Sequence, residues 1–316
     1  MTKARTILTI AAKLAISAAL IWYAFRKIDS ALAFRLLQSV HPGFIAAAIG
    51  SIALVQFLAG LRLHRLLRAI QTPVGVVTAV AAVLVGLFFG TAFVSFISGD
   101  AMRVWRIARA GVPVASAFQA VLFDRIFGFV ALIAIIAMGF PILVRIAADR
   151  AMLLSVLAAV LLGTSGTLVF LLMHRVPRAF LRWRIVSFAS TVSSAALSVV
   201  TRPAEVLYLV GVSMLLQLLN VIGMFVIGVG LGADIRLIDM MAVVPPVILL
   251  TMLPISFAGW GVRESAMVVV LGLLGVGAEQ SVAVSIGFGL CMMAVGLPGG
   301  VIWFASRRGP DRIPDA

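Results

Sequence analysis

Three groups of charged residues interrupt an otherwise apolar chain. Asp100 and Arg103 follow Gly99, Asp124 and Arg125 are adjacent, and Arg263 and Glu264 close the stretch Leu-Pro-Ile-Ser-Phe-Ala-Gly-Trp-Gly-Val-Arg-Glu that begins at residue 253. A guanidinium is a fork-shaped donor that matches phosphate and carboxylate oxygens. A carboxylate beside it balances charge, accepts an amine or carries a proton. A charge deep in apolar sequence is expensive, which makes it a functional-site hypothesis by default. The competing reading of each group is a buried structural ion pair. Asp124 and Arg125 cannot face each other on a helix, so each needs a partner elsewhere. Asp100 could alternatively cap a helix N-terminus. Arg103, Arg106 and Arg109 recur on one helical face, with Arg106 and Arg109 read as solvated charge.

Two of these groups lie at expected breaks. Pro254 removes a backbone donor, and Gly259 and Gly261 release the chain to positive φ, so a helix arriving from Met241 should break there. Gly99, after Ser98, marks a similar break in the first half. Broken backbone at membrane depth is tolerated only where protein or a water-filled cavity satisfies it. Residues from 263 onward could then start a half-helix whose positive end faces that cavity. Ser256 joins Arg103, Arg263, Asp100, Glu264, Asp124 and Arg125 as a candidate substrate-binding residue.

The elements that must position these groups are membrane helices. The 316 residues are 63% hydrophobic and 11% charged, far from the composition of a soluble domain. Apolar segments fall at about 7–25, 43–60, 74–98, 117–139, 151–173, 206–230, 241–258, 264–277 and 281–304. Lys3, Arg5 and Lys13 around the first segment resemble a signal peptide, but no clear cleavage site follows, so it reads as a retained span. The net charge of +14 is explained by basic loops on the cytoplasmic face rather than by nucleic acid.

That charge also guides the threading. If every segment crossed, the positive-inside rule would fail with the N-terminus inside. If 74–98 enters from the cytoplasm and returns, and 241–277 enters from outside and returns, the clusters Arg62–Arg68, Arg103–Arg109, Arg175–Arg202 and Arg307–Arg312 share the cytoplasmic face. The expected fold is therefore an all-α polytopic membrane protein with six full spans and two re-entrant broken-helix segments, or about eight spans. Both chain termini are then cytoplasmic. The two re-entrant segments fall in matching places, which reads as an inverted repeat. The halves are about 1–150 and 206–306 of a single transmembrane domain, 1–306. A cytoplasmic amphipathic segment, 174–205, joins them, and 307–316 forms a disordered tail. Gly86–Gly90 and Gly228–Gly232 have the spacing of close helix packing.

Several chemistries find no residues. Cys291 is the single cysteine, so neither an intrachain disulfide nor a thiolate cluster can form. His41, His64 and His174 are dispersed. There is no phosphate-binding P-loop and no nucleophile–base set. No cofactor, metal or nucleic acid is expected. The oligomeric state is not readable.

Gly99-Asp-Ala-Met-Arg103, Arg109-Ala-Gly-Val-Pro113, Asp124-Arg125 and the Leu253–Glu264 stretch together resemble the transmembrane region of the lysylphosphatidylglycerol synthase/flippase family, over essentially the whole chain. Ser95 stands where that family's first motif usually carries a proline. The resemblance implies a bacterial inner-membrane protein. It also implies translocation of a lipid with an anionic or zwitterionic headgroup rather than lipid synthesis, because the aminoacyl-transferase domain of two-domain members is not seen here. The lipid would be a phospholipid, a hopanoid or a polyprenyl-linked species. A non-transporting partner of a lipid-synthesising transferase and a membrane enzyme of lipid metabolism are the alternatives.

Overall fold

The computed structural model describes residues 30–92, 96–147, 149–176, 201–252 and 261–306, with isolated positions between 183 and 196. Every regular element among them is helical: α1 Ser30–Ser39, α2 Pro42–Ala69, α3 Val76–Ala92, α4 Phe96–Arg109, α5 Val114–Ile146, α6 Arg150–Leu172, α7 Pro203–Gly230, α8 Leu237–Met252, α9 Val262–Gly272 and α10 Ala278–Ser306, with a 3-10 turn at Met173–Arg175. The expected first span, 7–25, and the tail, 307–316, lie outside the described residues.

Five described helices, α2, α5, α6 (with its 3-10 turn), α7 and α10, are long and apolar enough to cross a membrane. Proline starts both α2 and α7, at a position where its missing N–H costs nothing. His41 Nδ1 accepts from the Gly43 N–H at the head of α2, and Asp149 caps α6 by accepting from Ala151 N–H. Many large apolar side chains are exposed, Leu162, Leu207 and Val301 among them. In a helical protein of this composition, that surface faces lipid. The protein is a multi-pass membrane protein.

The remaining helices are too short to span. At 1.5 Å per residue, α3, α4, α8 and α9 reach roughly 25, 21, 24 and 16 Å. They form two hairpins. The α3 and α4 helices run antiparallel in close contact: Ser98 Oγ donates to the Phe89 carbonyl at 3.1 Å, and a Cβ on Gly99 would lie 2.6 Å from the Gly86 carbonyl oxygen. Only glycine allows that approach. The α8–α9 pair is the second hairpin; residues 253–260, with Pro254, Ser256 and Gly259, lie outside the described residues.

The packing is two-fold in character. Exchanging α1 with α6, α2 with α7, α3 with α8, α4 with α9 and α5 with α10 turns the set of major helix contacts into itself. Thus α3 crosses α10 as α8 crosses α5, and α2 lies against α7. The hairpins occupy opposite ends. The α3–α4 hairpin packs with Leu63 and Leu67 near the end of α2 and Ala117 near the start of α5. The α8–α9 hairpin packs with Ala48 and Ile52 near the start of α2 and Leu143 near the end of α5. Arg65 near the end of α2 pairs with Glu205 in the first turn of α7, at 2.9 Å, placing those two ends together.

Some local expectations are revised. Gly232 lies beyond α7 at φ +76 and serves a turn, so Gly228–Gly232 is not a helix–helix motif. Arg106 is 9% exposed and buried, not solvated, because its face of α4 turns into the bundle. In the 174–205 segment, Val192 and Ala196 pack with Leu66, Phe123 and Leu209, while Trp183 is exposed. Most of 177–200 lies outside the described residues.

Candidate functional site

Asp124 sits in the middle of an ionic cluster. It is 2% exposed. Its Oδ1 accepts from Arg62 Nε at 2.7 Å, and its Oδ2 accepts from Arg103 NH1 at 3.0 Å. Arg62 also donates to Ser213 Oγ at 2.6 Å. One carboxylate thereby ties α2, α4, α5 and α7 together. Arg125, the next residue, points elsewhere, as helical geometry requires. It makes a two-pronged pair with Asp100, Nε to Oδ2 at 2.8 Å and NH2 to Oδ1 at 2.6 Å. Asp100 is therefore a mid-helix ion-pair partner within α4 rather than an N-cap. Arg103 NH1 lies 3.8 Å from Asp100 Oδ1, so the two carboxylates share one arginine.

The second half supplies a separate pair. Gly261 precedes α9 at φ +84, a conformation that side-chain-bearing residues rarely adopt. Its N–H donates to Glu264 Oε2 at 2.5 Å, so Glu264 holds the orphan donor at the head of α9. Glu264 Oε1 accepts from Arg263 NH2 at 2.9 Å and from Ser285 Oγ at 2.9 Å. Arg263 Nε donates to Ser285 at 2.8 Å. Both oxygens of Glu264 are thus engaged at 1% side-chain exposure.

The two groups flank one polar interior. A cavity of about 220 Å³ is lined by Gln56, Thr91, Gly99, Arg103, Arg125, Asn220 and Arg263 among others. An adjoining cavity of about 230 Å³ shares Arg125, Asn220, Arg263 and Met292 and adds Gln217 and Thr251. Arg125 lies about 16 Å along α5 from its start, on a 33-residue helix long and apolar enough to cross a membrane. Arg103, Arg125 and Arg263 reach the cavity; Asp100, Asp124 and Glu264 stand behind them as partners. The four arginines 62, 103, 125 and 263 face three carboxylates, 100, 124 and 264, leaving one positive charge in excess.

Sequence reasoning passed over Arg62, Gln56, Gln217, Asn220, Ser213 and Ser285. Arg62 was counted with Arg65 and Arg68 as loop charge, yet it is 6% exposed in the interior. Gln56 and Gln217 carried a readable signal: they occupy the same position in two 28-residue apolar helices, each begun by proline. Among the described residues, no three His, Cys, Asp or Glu side chains converge on a metal-binding geometry. Asp100, Asp124 and Glu264 are each turned to arginine.

The family model described as lysylphosphatidylglycerol synthase TM region matches residues 10–300. No curated protein matches the chain. The match runs through both hairpins, all five long helices and every charged side chain of the cavity, and the chain belongs to the lysylphosphatidylglycerol synthase transmembrane region family.

Proposed function

We propose that this protein translocates an amphiphilic lipid with an anionic or zwitterionic headgroup across the bacterial inner membrane, the headgroup passing through the central cavity. The family carries a role in membrane lipid metabolism or transport. The observation that carries the finer reading is the cavity itself, where Arg103, Arg125 and Arg263 from both halves meet amide side chains between two hairpins from opposite ends. A phosphate in hydrocarbon has lost its water, and preplaced guanidinium groups replace it. The single excess positive charge matches one phosphate.

The residues divide by role. Asp124 holds Arg62 and Arg103 in place, and Glu264 holds Arg263 and the head of α9. Arg103, Arg125 and Arg263 donate to headgroup oxygens. Gln56, Gln217 and Asn220 offer neutral donors and acceptors to the rest of the headgroup, with Ser256 as a further headgroup contact. Hairpins of broken helix at opposite ends allow the cavity to open to one leaflet at a time. In this reading both termini and the Arg62–Arg68 end are cytoplasmic.

The test is transport in liposomes that carry fluorescent lipids of several headgroups, with dithionite bleaching the outer leaflet. Bleaching beyond the outer-leaflet fraction for anionic or zwitterionic headgroups supports the proposal. Protein-independent bleaching for every headgroup overturns it.

A further inference from the structure

A second cavity system adjoins the central one from the side. A groove of about 430 Å³ runs between α5 and α6, walled by Leu122, Ile126 and Phe129 on one helix and by Leu162, Gly166 and Phe170 on the other. Its walls are apolar, and the charged group among them is Arg125. Arg125 also lines both parts of the central cavity, so one guanidinium stands where groove and cavity meet. The outer wall is loosely held: α6 buries none of its residues, packs chiefly on α5 and shows Leu154, Leu162 and Val169 to the outside. A residue added at Gly166 would meet nothing within 4 Å.

We propose that the α5–α6 groove is the lateral binding site of one phospholipid molecule, its acyl chain along the groove and its phosphate on Arg125, and that Asp100 is the internal anion this phosphate displaces. The occupant follows from the chemistry of the walls. Long apolar sides open to lipid accept a hydrocarbon chain, and a guanidinium at membrane depth accepts an anion tethered to that chain. An anion that enters along the groove must be carried in by such a chain. Asp100 has somewhere to go, because Arg103 already lies 3.8 Å away. Its pair with Arg125 is also only half-buried, with side-chain exposures of 26% and 32%, unlike the Asp124 pairs behind it. In the empty site Asp100 neutralises Arg125; in the loaded site the phosphate does. The exchange keeps Arg125 paired throughout and admits anionic headgroups while the groove selects for a chain.

This inference rests on the lipid-handling reading above, but its test measures occupancy without transport. With Cys291 replaced by Ser, Gly166→Cys carries a bimane fluorophore in the groove, and Val301→Cys, 70% exposed on α10, carries it on the outer surface. Protein in bilayers of phosphatidylcholine receives doxyl-chain phosphatidylglycerol or doxyl-chain phosphatidylcholine as quencher. At 166, phosphatidylglycerol quenches at lower mole fraction than phosphatidylcholine, by about threefold; at 301 the two are equal. Asp100→Asn raises the preference at 166 to about tenfold, the worth of one charge-assisted contact freed from its competitor. Arg125→Gln brings the ratio to one. Soluble glycerol phosphate leaves the quenching unchanged, which separates a lipid phosphate from a free one. Equal quenching by both lipids at 166, or a preference that neither substitution moves, overturns the site. If Arg125→Gln fails to accumulate, Asp100→Asn decides alone: a rise supports the exchange, and no rise refutes it. Selective quenching with no flipping in liposomes removes the transport reading and leaves this site standing; flipping without selectivity at 166 does the reverse.

Discussion

Replacing Asp124 by Asn separates the scaffold of the cavity from its working surface. Asp124 is 2% exposed and serves two arginines from two other helices. Asparagine fills the same volume. It removes the charge, however, and turns one acceptor oxygen into a donor, so either Arg62 or Arg103 meets an N–H₂ group where water does not reach. Removing one member of a buried ion pair costs about 3–5 kcal/mol, most of it the stranded partner. Glu205→Gln is the control. Its pair with Arg65 joins side chains that are 21% and 43% exposed, and such pairs contribute at most about 1 kcal/mol. Thermal unfolding in detergent, followed by fluorescence, should show Asp124→Asn melting on the order of 10 °C below the parent, taking soluble-domain scaling. Glu205→Gln should shift by a few degrees at most, and membrane levels should fall in the same order. If the two variants melt together, the cluster does not hold the four helices, and the division between scaffold and surface is wrong.

Other outcomes follow from the same geometry. Arg263→Lys keeps the charge but loses the forked donor that serves Glu264 and Ser285 while facing the cavity, so flipping should fall with protein level unchanged. Glu264→Gln should be milder than Glu264→Ala, because the amide oxygen can still accept from the Gly261 N–H; the alanine variant loses about 1 kcal/mol from the cap alone, read as melting temperature. Gly261→Ala should destabilise by about 1–2 kcal/mol, since φ +84 is costly for alanine. Cysteines at Gln71 and Asp234, both exposed in the connections before the two hairpins, should label from opposite faces of the membrane; labelling from one face would refute the opposed hairpins.

The sequence showed where charge enters apolar chain, and those residues do meet: Arg103, Arg125 and Arg263 come from two halves onto one cavity. Charge pointed to the hairpins, because the arginine clusters share one face only if 74–98 and 241–277 each return to the side they entered. What stayed hidden was depth and partnership. Arg62, Arg65 and Arg68 look alike in a basic run, yet Arg62 is buried on Asp124 while Arg65 is on a rim with Glu205. Three residues of helical rotation separate those fates, and only the position of the neighbouring helix decides between them. Arg106 was missed for the same reason. Polar side chains in apolar helices, Gln56, Gln217 and Asn220, were visible, but their convergence depends on α2 lying against α7. Asp100 could be read as a cap because its true partner is twenty-five positions away in sequence.

The central claim is that the cavity arginines hold the headgroup while it crosses. Its most direct test measures headgroup-resolved flipping by Arg125→Gln and Arg263→Gln beside Glu205→Gln, in liposomes with equal amounts of folded protein. The account predicts that both cavity variants lose flipping of the anionic lipid by about tenfold or more, the worth of one charge-assisted contact, while Glu205→Gln flips at the parent rate. Parent-rate flipping by both cavity variants would contradict it and leave the arginines as packing electrostatics.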